Sequence, residues 1–199
     1  MDLDTLLEHI DIGEDQDIEF KSAKNTLPKD ILPTLSAFAN TDGGYIILGV
    51  SETDDGFIIS GVNNPENLIT QFWNNHNNPE KLSFPICSNY NLEIKEIDSS
   101  KLIIIPVPRA TRTQRPVYIN KNLMTGTYKR NYSGDYHCTE VEIKQMLRDA
   151  SNDPQDYQIL DNFNFDDLDP ETMKAFRQRF SNREPDHPYL ELDDKNLLL

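Results

Sequence analysis

A chain of 199 residues is long enough for one good hydrophobic core with some chain left over, and its formal net charge of -15 argues against coating nucleic acid through bulk charge. No stretch approaches the roughly 18 apolar residues that span a bilayer. The acidic, amphipathic start from Met1 to Ile10 is unlike a basic and then apolar secretory signal. Cys87 and Cys138 make no disulfide framework, so the expected setting is the reducing cytoplasm with no membrane partner.

The charge is segregated. Met1 to Glu19 holds eight acids and no Lys or Arg, whereas Ser99 to Gly134 holds seven bases (Lys101, Arg109, Arg112, Arg115, Lys121, Lys129 and Arg130) and no acid. One fold can therefore present an acidic cluster and a basic strip, although a solvated loop face explains the same pattern.

In chain order, Leu3, Leu6, Leu7 and Ile10 share a helical face over Asp2 to Ile10. Asp17 to Ala23 reads as a strand. After Pro28, the stripe Ile31, Leu32, Leu35, Phe38 and Ala39 predicts a helix that starts late or bends at Pro33 and stops at Gly43-Gly44. Tyr45 to Glu52 reads as one central strand. Asp54-Asp55-Gly56 turns the chain into a second strand, Phe57 to Val62. Pro65 to Asn75 reads as a helix. Tyr90 to Ile97 and Leu102 to Val107 follow as strands, then short strands at Val117 to Asn120 and Thr127 to Asn131. Thr139 with Glu142 forms a capping box for a further helix. The expected core is Phe38, Ile46, Ile47, Leu48, Val50, Ile103 and Ile105.

The composition shifts after Ala150: Ser151 to Leu199 carries twelve acids against five bases, with one amphipathic stretch, Pro170 to Phe180. The expected organisation is a mixed α/β (α+β) domain over residues 1–150, its mixed central sheet flanked by helices. Residues 151–199 then form an acidic accessory helix or linker toward a further domain.

Several residue sets resemble the Schlafen-AlbA family over roughly residues 10–150. They are Glu14, Ile18-Glu19-Phe20-Lys21, Ser36-Ala37-Phe38-Ala39-Asn40-Thr41-Asp42-Gly43-Gly44 and Ile47-Leu48-Gly49-Val50, then Tyr128-Lys129-Arg130 and Thr139-Glu140-Val141-Glu142-Ile143. Where the family usually has a glycine soon after the arginine, Asn131 and Tyr132 intervene here. Family members occur among bacterial DNA-binding proteins and transcriptional regulators, some labelled divergent AAA or RecG-like helicase relatives. A similar fold serves as a metal-dependent endoribonuclease in animal Schlafens.

The resemblance implies a nucleic-acid-binding module of a bacterial transcriptional regulator. Its alternatives are a metal-dependent endonuclease acting on RNA and a protein-interaction or dimerisation scaffold, with a homodimer in view. For the nuclease, the resemblance assigns Glu14, Glu19 and Glu52 as catalytic residues and as ligands for Mg²⁺ or Mn²⁺, because hard cations take oxygen ligands. Otherwise no cofactor is called for. For binding DNA or RNA, the expected phosphate contacts are Lys21, Arg109, Arg112, Arg115, Lys121, Lys129 and Arg130, with Arg130 contributing most and Tyr118, Tyr128 and Tyr132 interleaved.

Two other constellations carry less. Gly44 to Ser51 has the glycine spacing of a phosphate loop, but Val50 stands where the lysine must reach the phosphates and the stretch is strand-like. His76, Cys87, His137 and Cys138 include no Cys-x-x-Cys pair, so zinc has little support.

Overall fold

A computed structural model describes residues 3–88, 92–151 and 165–197. The chain divides into two compact units, Met1–Asn152 and Asp153–Leu199.

The first unit is a mixed α+β fold. Helix α1 (Leu3–Ile12) buries Leu6 and Ile10, one turn apart. Strand β1 (Ile18–Lys21) leads to helix α2 (Ile31–Asn40). The helix starts late, at Ile31 rather than at Pro28, so Pro33 is its third residue, where a backbone N–H has no intrahelical partner, and no bend is needed. Strands β2 (Gly44–Leu48), β3 (Val50–Thr53) and β4 (Gly56–Ile59) precede helix α3 (Pro65–His76). Strands β5 (Glu93–Ile97), β6 (Ser100–Val107), β7 (Tyr128–Asn131) and β8 (Gly134–His137) then lead to helix α4 (Glu140–Ala150). Thr139 and Glu142 close the capping box of α4.

The main sheet has the order β1-β2-β6-β5, with β1 parallel to β2 and the other pairings antiparallel. Pleating sends alternate residues to opposite faces. Ile46, Leu48, Ile103 and Ile105 meet Leu35 and Phe38 of α2 and Leu68 and Phe72 of α3. Ile18, Phe20, Ile47, Leu102 and Ile104 meet Leu6 and Ile10 of α1. All seven expected core residues are buried.

The expected strand Tyr45 to Glu52 is two strands. Gly49 breaks it with φ +101, and a Cβ there would come within 2.8 Å of the Leu102 side chain. Its carbonyl accepts from Ser60 N and Gly61 N at 2.8 Å each, which turns β3 into a hairpin with β4. The phosphate-loop-like spacing thus runs along β2, whose residues pair with β1 on one side and β6 on the other, and into the start of β3. Val117 to Asn120 forms isolated bridges, Leu82 with Ile119 and Tyr118 with Thr127, instead of a ladder. Strand β8 has no half-buried alternation to announce it.

In the second unit, helix α5 (Pro170–Arg183) buries Met173 and ends at Glu184. Helix α6 (Asp194–Leu197) follows a 3₁₀ turn at Pro188–Glu191. Among the described residues no helix is long and apolar enough to cross a membrane.

Candidate functional site

Strand β1 is an edge strand, paired only with β2, so its outward backbone groups need other partners. Side chains supply them. Phe20 N donates to Glu14 Oε1 at 2.8 Å and Ile18 N to Asp15 Oδ1 at 3.0 Å. Arg130 Nη2 donates to the carbonyls of Asp15 and Ile18, both at 2.9 Å.

Behind this edge runs a chain of charges. Arg130 Nη1 lies 2.7 Å from Glu19 Oε2 and 3.1 Å from Asp135 Oδ1, and the arginine side chain is only 1% exposed. The Glu19 oxygen makes no hydrogen bond despite that approach, so the contact is an ion pair off the N–H direction. The guanidinium sits 5.0 Å from the Phe38 ring centre. Lys21 Nζ bridges Glu19 at 2.5 Å and Asp30 at 2.6 Å. Burial works against the charge on Lys21, but Asp30 and Glu19 outweigh it and hold its pKa above the usual value.

A cleft of about 310 Å³ opens here, lined by Glu14, Phe20, Lys21, Asp30 and Glu52 among others. Burial, reinforced by the charge of Glu19, pushes the Glu14 carboxyl up to about 7, against the opposing pull of Phe20 N, Lys21 and Arg130. Glu52 is exposed on β3. Glu14 and Glu52 therefore share a cleft, whereas Glu19 is turned onto Arg130 and Lys21. Among the described residues no group of three or more His, Cys, Asp or Glu side chains is gathered to hold a metal ion. With Glu19 paired to Arg130 and Lys21 and an ammonium in the cleft, the three carboxylates expected to hold Mg²⁺ or Mn²⁺ do not converge here. The zinc constellation is not gathered either: Cys87 N donates to His76 Nε2 at 2.8 Å, which occupies that ring nitrogen.

The basic strip does not survive folding as a strip. Arg109 pairs with Asp42 at 3.2 Å, Lys121 with Glu80 at 2.5 Å and Lys129 with Glu142 at 2.5 Å. Arg130 is a buried strut, so its expected lead role in phosphate contact is revised, and Lys21 is held between two acids. Lys101, Arg112 and Arg115 have no ion pair among the described residues. Lys101 is the second residue of β6 while the two arginines lie beyond its far end, most of a strand away at about 3.3 Å per residue.

Arg112 and Arg115 occupy a loop held at both ends by α2. Ala110 N donates to Ala39 O at 2.8 Å. At the other end Asn40 clamps Val117, accepting from its N–H and donating to its carbonyl, each at 2.8 Å. Asn40 also donates to Tyr128 O at 2.9 Å, and Ser36 Oγ donates to Val117 O at 2.8 Å. Thr41 Oγ1 accepts from Arg130 N at 2.9 Å. In the sequence Ser36, Asn40 and Thr41 are legible as motif residues only. The available signal was polar residues one turn apart on an otherwise buried helix. Gly44 belongs to the same motif because a Cβ there would lie 2.7 Å from both Asp17 O and the Phe38 ring.

The chain belongs to the Schlafen, AlbA_2 family, whose profile matches residues 14–139. A second profile, Domain of unknown function (DUF8451), matches residues 144–199. The chain is similar to the solution structure of the N-terminal domain of a RecG-related protein from Nitrosomonas europaea, named as a candidate ATP-dependent DNA helicase. Identity is 27% and the TM-score 0.51, over 68% of this chain and 92% of that one. A match to the DIP2311 protein from Corynebacterium diphtheriae has 16% identity and a TM-score of 0.47, over 92% of this chain and 32% of that one. Among curated proteins nothing matches this chain.

Proposed function

We propose that residues 14–139 form a nucleic-acid-binding module that contacts phosphates through Arg112 and Arg115, in a protein that regulates transcription. The observation carrying this reading is the tethered loop. Two arginines without ion pairs among the described residues are presented between anchors at Ala110 and Val117. A loop fixed before binding loses little entropy when a polyanion arrives. Family membership and the helicase-related neighbour support the choice of nucleic acid as the polyanion. Arg109 and Lys121, exposed in surface ion pairs, can exchange their acids for phosphates at small cost.

The test is binding of the chain to duplex DNA and structured RNA across a salt series. Arg112→Gln with Arg115→Gln should weaken binding and reduce the log–log salt slope by about 0.7 to 0.9 per contact. An unchanged slope removes the loop from the interface. Mn²⁺-dependent RNA cleavage abolished by Glu14→Gln would restore the nuclease reading, because Glu14 and Glu52 share one cleft.

A further inference from the structure

Helix α5 in the second unit carries chemistry that the first unit does not account for. From Thr172 to Arg183 it holds four bases and no acid. Phe176, Arg179, Phe180 and Arg183 recur three and four residues apart, which places them on one helical face.

The aromatic residues form a row. The Phe176 and Phe180 rings are nearly parallel, with centres 6.2 Å apart. Phe180 meets His187 at 5.0 Å, and His187 meets Tyr189 at 4.8 Å. Arg177, on the adjoining side of α5, fixes this arrangement. It donates to Asp194 at 2.8 Å, to Leu190 O at 2.9 Å and to Leu192 O, and so ties the Pro188–Glu191 turn carrying Tyr189 to the helix.

A small core would hide the ends of such a row. Here Phe176 is 43% and Tyr189 54% exposed. Arg179 and Arg183 are exposed beside the phenylalanines and have no ion pair among the described residues. In a chain of net charge -15, two guanidinium groups left open next to two open ring systems suit one ligand class. Unpaired bases offer faces for stacking and their backbone offers phosphates, whereas a duplex hides its base faces. At the far end Glu184 lies 3.9 Å from His187 Nε2 and Asp186 follows it, which repels phosphate there and keeps the backbone on the Arg179–Arg183 side.

We propose that α5 and Tyr189 form a binding site for single-stranded nucleic acid, with bases stacking on Phe176 and Tyr189 and phosphates held by Arg179 and Arg183. This inference does not rest on the Arg112–Arg115 loop.

The experiment is fluorescence anisotropy with the full chain, using labelled oligo-dT and oligo-U beside a duplex of the same length. Phe176→Ala and Tyr189→Ala should each weaken single-strand binding about fivefold or more. Tyr189→Phe, which keeps the ring, should bind as the parent does. Arg179→Gln with Arg183→Gln, both exposed and safe for folding, should lower the salt slope by about 0.7 per charge. Duplex affinity should be unaffected by all of these and reduced by the Arg112→Gln, Arg115→Gln pair. Single-strand affinity unchanged in the aromatic and arginine variants overturns the inference while leaving the loop reading intact. So does absence of saturable single-strand binding by the parent chain. A changed solution mass in the aromatic variants with unchanged binding would mark this face as a protein interface and overturn it equally.

Discussion

Arg130 Nη1 rests 2.7 Å from Glu19 Oε2, out of reach of solvent, while the same guanidinium closes the outer carbonyls of Asp15 and Ile18. One side chain thus neutralises a buried acid and satisfies an edge strand. Removing Arg130 leaves the buried Glu19 to Lys21 alone and strands the Asp135 carboxylate and the outer carbonyls of Asp15 and Ile18. Arg130→Ala should therefore cost about 3–5 kcal/mol, a fall in melting temperature on the order of 10 °C. Arg130→Met combined with Glu19→Leu should recover much of that loss, since a well-packed apolar replacement of a buried pair is often neutral. A melting curve unmoved by Arg130→Ala would show that the strut is dispensable and return Arg130 to the set of surface cations.

The sheet was legible in the sequence because its signals are local. Leu102 to Ile105 is an unbroken apolar run, and a strand buried on both faces has to read that way. The split at Gly49 was not legible, since it depends on a φ of +101 and on the Leu102 side chain packing against the glycine. The site was legible as motif and misleading as charge. Ser99 to Gly134 lacks acids, yet Asp42, Glu80 and Glu142 reach it from other segments and neutralise Arg109, Lys121 and Lys129. Charge runs along a chain describe neighbours in sequence, while pairing is decided by neighbours in space. The Glu14 and Glu19 spacing did put both acids at β1, but Arg130 and Lys21 turn Glu19 away from the cleft.

Glu14 should give the domain a pH-dependent stability. Its carboxyl rises from the ordinary 4.5 to about 7 in the folded protein, chiefly through burial. Between those values the folded state holds a proton that the unfolded state has released. Its stabilising contribution is therefore complete below pH 4.5 and is lost as pH rises through about 7. Glu14→Gln keeps an oxygen for Phe20 N and cannot ionise. The melting temperature of the variant relative to the parent should climb steadily from pH 5 to pH 8. A constant difference across that range would mean that Glu14 ionises normally.

His76 should act in the opposite sense. Burial lowers its pKa below the ordinary 6.5, with the Asn77 hydrogen bond pulling the other way. Nε2 accepts from Cys87 N at 2.8 Å, so the ring must stay neutral to hold the 87 segment against α3. The unfolded chain protonates this histidine near pH 6.5 and the folded chain does so lower. Its contribution is present above 6.5 and is lost as pH falls through that window. Ring-proton NMR should place the His76 titration midpoint below the ordinary 6.5. A His76 midpoint at or above 6.5 would contradict the buried acceptor.

Asn40 offers the last prediction, because it connects the family motif to the arginine loop. Its amide accepts from Val117 N and donates to the carbonyls of Val117 and Tyr128, and all of this happens in the interior. In Asn40→Ala the Val117 N–H and the Tyr128 carbonyl lose their side-chain partner, while Val117 O keeps Ser36 Oγ at 2.8 Å. At roughly 1–3 kcal/mol for each stranded group, the loss should be about 2–4 kcal/mol. Asn40→Asp keeps an acceptor for Val117 N but buries a carboxylate facing two carbonyls, so it should be worse than alanine. The functional consequence follows from where Val117 sits. It ends the loop that presents Arg112 and Arg115, so freeing it should weaken nucleic-acid binding by disordering the loop, without removing any charge. The salt slope should then stay near the parental value while affinity falls, the reverse of the pattern expected for Arg112→Gln with Arg115→Gln. Amide exchange at Val117, whose N–H loses its acceptor, should accelerate in parallel. If exchange there is unchanged and binding still falls, Asn40 does not act through the loop tether.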